Sequence, residues 1–153
     1  MAILRVYADT SVFGGAYDDE FAGPTTAFWE QVREGKFALV SSAVVRREIE
    51  DAPSRVRELF DDMMPFAEIT EVTAAALALR SAYLNEGIVG PSCADDALHV
   101  ALAAVAGCSL VVSWNFKHIV HSRKIPLYNA INVLRGYASL AIHSPSEVID
   151  YGE

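Results

Sequence analysis

Apolar runs long enough to cross a bilayer are missing, since no uncharged stretch approaches the roughly 18 residues that such a span requires. The amino terminus holds no signal-peptide core either, because Arg5 and Asp9 interrupt its apolar residues. Cysteine is scarce. Cys93 and Cys108 are fifteen positions apart, and a helix joining them separates their Cα atoms by roughly 22 Å, against the ~7 Å limit of a disulfide. Both are expected to be free thiols, as in a reducing cytoplasm, and the expected location is cytoplasmic with no membrane partner. Positive charge is also in deficit: 12 Lys and Arg stand against 20 Asp and Glu, a formal charge of -8. Sequence-independent nucleic-acid binding depends on cations meeting phosphates. Either the acids are gathered to hold metal, or nucleic acid is not the partner.

What is present suffices for a core. The chain has 153 residues, 52% of them hydrophobic and 21% charged, with no internal repeat, as expected of one globular domain over residues 1–153. Residues 3–8 form an apolar run that stops at Asp9, the pattern of a buried parallel strand opening into a loop. Thr10 and Ser11 can cap a helix there. A polar connection over residues 14–24 precedes a helix over 25–33, and Glu34-Gly35-Lys36 stops it. Further strands are expected over 37–41, 66–69, 109–113 and 139–143, and further helices over 42–51, 53–63, 73–85, 92–107 and 129–135. Such alternation implies a parallel sheet covered on both faces.

Ligands of open parallel sheets bind beyond the carboxyl ends of the strands, so polar residues placed there carry the functional signal. Asp9 follows the first strand directly and would serve equally as a helix cap. Glu48 lies four residues after Val44 and three after Val45, which sets a carboxylate on the apolar side of its helix. An unpaired buried carboxylate is costly, so a cation or a cleft accounts for it better. Ser92 and Asp95 have the spacing of a capping box, which gives Asp95 a structural task. Asp96 has no such task, and it shares a helix face with His99, Val100 and Ala103. His99 itself is read as a packing residue. Asn115 follows the fourth strand, either as a turn residue or as an amide able to join a magnesium site through water. Ser113 is expected to support the site from behind. Residues 114–124 carry Lys117, His118, His121, Arg123 and Lys124 with no acid, and Arg46 and Arg47 precede Glu48. A basic lip over an acidic site suits a phosphate backbone, with Arg46, Lys117 and His118 as its expected contacts.

At these positions the chain resembles the PIN-domain family, and specifically its VapC-like toxins. The resemblance is carried by Asp9-Thr10-Ser11, by Ser42 with Glu48 six residues later, by Asp96-Ala97-Leu98-His99-Val100-Ala101, and by Val111-Val112-Ser113-Trp114-Asn115 with Phe116. It implies a three-layer α/β PIN-like fold, with a central parallel sheet of about five strands between helices. It also implies acids that meet at one edge to bind Mg2+ or Mn2+. The family's four acidic positions fall at Asp9, Glu48, Asp96 and Asn115, the last a departure from the aspartate many relatives carry. Asp9 and Asp96 would be the principal metal ligands, with Glu48 completing the shell or orienting water. The activity implied is hydrolysis of RNA phosphodiester bonds by a homodimeric toxin held in check by an antitoxin. A groove for that antitoxin could draw on Leu59, Phe60, Met63 and Met64, which could equally be core. Two other readings stand beside this one: a PIN-like module that binds without cutting, and a receiver-type signalling domain, which would need paired acids after the first strand.

Overall fold

In the computed structural model, which describes residues 3–152, the first strand β1 (Leu4–Ala8) occupies the centre of a five-stranded sheet. Its residues Val6, Tyr7 and Ala8 are fully buried, as a strand covered on both faces requires. Helices α1 (Thr10–Gly15) and α2 (Ala22–Arg33) lead to β2 (Phe37–Ser42). Then α3 (Ala43–Ile49), α4 (Ser54–Met63) and a 3-10 turn lead to β3 (Ala67–Thr70). The chain returns through α5 (Ala74–Asn85), a 3-10 turn at Pro91–Cys93 and α6 (Ala94–Val105) to β4 (Leu110–Val112). Helix α7 (Ile125–Leu134), β5 (Ala141–His143) and α8 (Pro145–Val148) close the fold.

The strand order is β3-β2-β1-β4-β5 and every pairing is parallel. This is the expected parallel sheet of five strands. A receiver-type sheet runs 2-1-3-4-5 instead, so the topology sets that reading aside. Right-handed crossovers place the helices of the β1 to β3 half on one face and those leading to β4 and β5 on the other. The helix contacts follow that division: α1 touches α2, α3 and α4, while α5 touches α6 and α7. The connection from β1 runs to β2 on one side and the one from β3 returns to β4 on the other, and the crevice between β1 and β4 opens at their carboxyl ends.

Packing locks the elements around that crevice. Residues Ala97 to Ala104 of α6 are all buried, so the helix is covered around its whole circumference, with His99 its one polar side chain there. Phe13 of α1 packs tilted against Trp29 of α2 with ring centroids 4.5 Å apart, and the indole N–H donates to the Val12 carbonyl at 3.1 Å. Each fully buried side chain of this kind stabilises the fold by about 1.5–3 kcal/mol. Leu59, Phe60 and Met63 belong to this core and Met64 packs on it, while Leu59 also lines an open surface hollow with Tyr17, Trp29 and Asp62.

Three helix starts differ from expectation by more than one residue. Helix α2 starts at Ala22 and α7 at Ile125, each with a proline inside the first turn, where a missing N–H costs nothing. The Ser92–Asp95 capping box does not form. Pro91 begins a 3-10 turn that contains Ser92, Cys93 takes the cap position, and Asp95 points to solvent 3.7 Å from Arg47.

Candidate functional site

Asp9 stands at the carboxyl end of β1, 4% exposed, in the cap position of α1. It makes no side-chain cap bond; both of its oxygens accept from serines instead. Ser11 Oγ donates to Oδ1 at 2.5 Å and Ser113 Oγ donates to Oδ2 at 2.7 Å. Each serine is turned toward the carboxylate by a backbone N–H on its other side. Ser11 Oγ accepts from Trp114 N and Ser113 Oγ from Asn115 N, both at 2.9 Å. The loop after β4 thereby fixes the carboxylate that follows β1. Thr10 and Ser11 consequently hold acids and do not cap the helix.

Asp9 has no lysine or arginine partner within 4.0 Å among the described residues. Burial pushes its carboxyl above the ordinary value; the His99 charge and the two hydroxyls oppose this without cancelling it, and the charge of Glu48 adds to the rise.

Glu48, half-buried on α3, points to the same region. Its Oε1 accepts from Thr10 Oγ1 at 2.7 Å and lies 2.6 Å from His99 Nε2. Burial alone would raise its pKa, but the bond and charge of His99, helped by Thr10 and Arg47, hold it below the ordinary value. The other nitrogen of His99 lies 2.7 Å from the Tyr7 hydroxyl, which is 2.8 Å from Ser42 Oγ. Ser42 also caps α3 by accepting from Val45 N. A buried chain Ser42–Tyr7–His99 thus ends on Glu48. Burial disfavours the His99 cation, but the Glu48 bond and the charges of Asp9, Glu48 and Asp96 outweigh it and raise its pKa. His99 is buried as expected, and it is also the residue on which all three acids act.

Asp96 is half-buried in the first turn of α6. Among the described residues, Asp9, Glu48 and Asp96 do not form a group whose ligand oxygens all lie within 4.8 Å of one another. The group that does is Cys93, Asp96 and His118. Cys93 was not singled out from sequence, although its spacing of three from Asp96 puts both on one helical face.

Asn115 accepts from His118 N through Oδ1 at 2.9 Å, the bonding of a turn residue, and donates its backbone N–H to Ser113. Lys117 and Arg46 are exposed, while His118 is half-buried with Nε2 3.3 Å from Cys93 Sγ. Lys124 is tied to the Ile88 carbonyl at 2.7 Å, which removes it from the solvent-facing part of the basic run.

No protein-family profile matches the chain, and no curated protein matches it in sequence. Solved structures match its fold. VapBC2 from Rickettsia felis, determined bound to a DNA fragment from its promoter, aligns with a TM-score of 0.61 over 92% of this chain and 98% of that one, at 14% identity. FitAcB from Neisseria gonorrhoeae aligns with a TM-score of 0.58 over 92% of this chain and 97% of that one, at 11% identity. The fold is therefore the PIN-like α/β fold of the VapC structures. No helix among the described residues is long and apolar enough to cross a membrane.

Proposed function

We propose that this chain is a metal-dependent endoribonuclease and the toxin half of a toxin–antitoxin pair. The observation that carries the reading is Asp9: a buried carboxylate with no lysine or arginine partner among the described residues, set at the carboxyl end of β1 beside β4, its charge acting on the same histidine as those of Glu48 and Asp96. A buried anion of this kind calls for a cation.

The donor set fits magnesium or manganese. Both oxygens of Asp9 are met by hydroxyls, and hard divalent ions prefer oxygen. Asp9 and Asp96 would hold the ion, with Glu48 completing the shell or orienting water. A divalent ion at such a site lowers the pKa of water and neutralises charge on phosphate oxygens. Ser11 and Ser113 keep Asp9 in one rotamer with both oxygens hydrogen-bonded. Thr10 and His99 occupy Oε1 of Glu48, which keeps that side chain turned toward the crevice. Arg46 and Lys117, both exposed, supply the positive charge that a chain of net charge -8 must place locally to meet a phosphate backbone, with His118 at the edge of the loop.

The resemblance to VapC-like toxins extends the reading to an antitoxin and to a homodimer. On α7, Leu127, Val133 and Leu134 reach solvent and have the apolar character to take a partner chain.

Purified protein should cut single-stranded RNA in manganese. Asp9→Asn and Asp96→Asn should each abolish cleavage, and Asp95→Asn, altered only at an exposed ion pair, should retain it. Full activity in both site variants would refute the reading. A module that binds without cutting is favoured by one observation, the commitment of the Asn115 amide oxygen to a turn. Absence of manganese binding in a titration would decide for that module.

A further inference from the structure

Cys93, Asp96 and His118 converge from two segments that the nuclease reading uses only in part. Cys93 caps α6, Asp96 follows three residues later on the same face, and His118 comes from the loop after β4. Their ligand atoms all lie within 4.8 Å of one another. The Sγ to Nε2 separation is 3.3 Å, close to the roughly 3.5 Å expected between sulfur and nitrogen ligands of a tetrahedral zinc ion.

The imidazole is positioned in advance. His118 N donates to Asn115 Oδ1 at 2.9 Å, and its carbonyl accepts from the Tyr128 hydroxyl at 2.8 Å. Its Nδ1 is buried with no hydrogen-bond partner among the described residues, so the polar contact of the ring is the one to Cys93. A thiol, an imidazole and a carboxylate on three corners match the ligand types of borderline-soft cations and differ from the two hydroxyls bonded to Asp9.

We propose that Cys93, Asp96 and His118 form a second cation site, selective for zinc-like ions over magnesium. The Cys93 thiol gives up its proton to solvent on binding, the three side chains fill three positions, and water takes the fourth. Asp96 cannot serve two ions in one geometry. Zinc here would therefore withdraw a residue from the nuclease site, a consequence that rests on the nuclease reading, whereas the binding itself does not.

Titration with Co2+ as the probe should produce a near-ultraviolet thiolate-to-cobalt absorption band that saturates at one equivalent. The band should vanish in Cys93→Ser and survive in Cys108→Ala and in Asp9→Asn. His118→Gln, which keeps the thiol, should weaken Co2+ binding at least tenfold, with circular dichroism verifying that each variant is folded. No band in the native protein, or a band that persists in folded Cys93→Ser, would overturn the site. One equivalent of zinc should suppress manganese-dependent RNA cleavage by the native protein and leave Cys93→Ser active; equal suppression would refute the sharing of Asp96. Failure to cleave RNA without zinc would count against the nuclease reading alone, because the cobalt spectra judge the site separately.

Discussion

Glu48 and His99 are 51 positions apart in sequence, yet the carboxylate Oε1 lies 2.6 Å from the ring nitrogen Nε2. The contact joins α3 to α6 across the end of β1. It also makes the buried hydroxyl of Tyr7, on the far side of the ring, part of the apparatus that places Glu48.

Tyr7→Phe should therefore act at a distance. It leaves His99 Nδ1 and Ser42 Oγ each without its buried tyrosine partner, a loss of about 1–3 kcal/mol. Urea unfolding would register that loss. RNA cleavage should fall as well, although Tyr7 has no exposed surface. Native-like stability in this variant would show that the hydroxyl is not needed.

Asp9 sets a pH dependence. Its folded pKa lies above the ordinary 3.8, with burial as the main cause. A carboxyl raised on folding lends stability that is complete below its ordinary pKa and disappears as pH climbs through the folded value. In metal-free protein the contribution of Asp9 to stability should thus be lost as pH rises from the ordinary carboxyl pKa through the raised folded value. Asp9→Asn, uncharged throughout, should show a shallower slope. Manganese should raise the urea midpoint of the native protein near neutral pH and leave that of Asp9→Asn unchanged.

Gly15 is the point at which α1 meets the loop after β4. A Cβ there would stand 2.7 Å from Cδ1 and Nε1 of Trp114. That ring donates to Thr25 Oγ1 at 2.9 Å and stacks on Phe21 at 4.1 Å. Gly15→Ala should displace the indole, lower stability by about 1–3 kcal/mol and shift the tryptophan fluorescence. An unchanged emission spectrum would contradict this placement.

The two thiols should react unequally. Burial pushes the Cys108 thiol up to about 11, whereas Cys93 is half-buried. Iodoacetamide applied to the native protein near pH 8 should label Cys93 alone, and Cys108 only after unfolding. Mass spectrometry of the peptides distinguishes the two.

The sheet was legible because its signals are local. Apolar runs ending at Asp9, Ser42 and Ser113, with helical periodicity between them, are properties of neighbouring residues. The helix starts at Ala22 and Ile125 were obscured by Pro24 and Pro126, since proline reads as a breaker unless its place in the first turn is known. The capping box at Ser92 failed for a related reason: Pro91 favoured a 3-10 turn that drew the serine inside it. In the site, Asp9, Glu48 and Asp96 stood out because carboxylates are costly on apolar faces. The roles of Tyr7 and Cys93 did not, because a tyrosine in a buried strand and a cysteine beside a helix are both ordinary residues until the partner across the fold is known.

The placement of β4 beside β1 also orders events during synthesis. Ser113, which fixes Asp9, is made 104 residues after it, and until then β1 has no neighbour on that edge. A nascent chain emerging at roughly 5–20 residues per second passes through the stages that build β1, β2 and β3 with its acidic cage half assembled. A ribosome stalled anywhere before Ser113 thus carries a fragment in which Asp9 lacks one of its two serine partners. Such fragments also bare a strand edge, which marks them for aggregation or proteolysis.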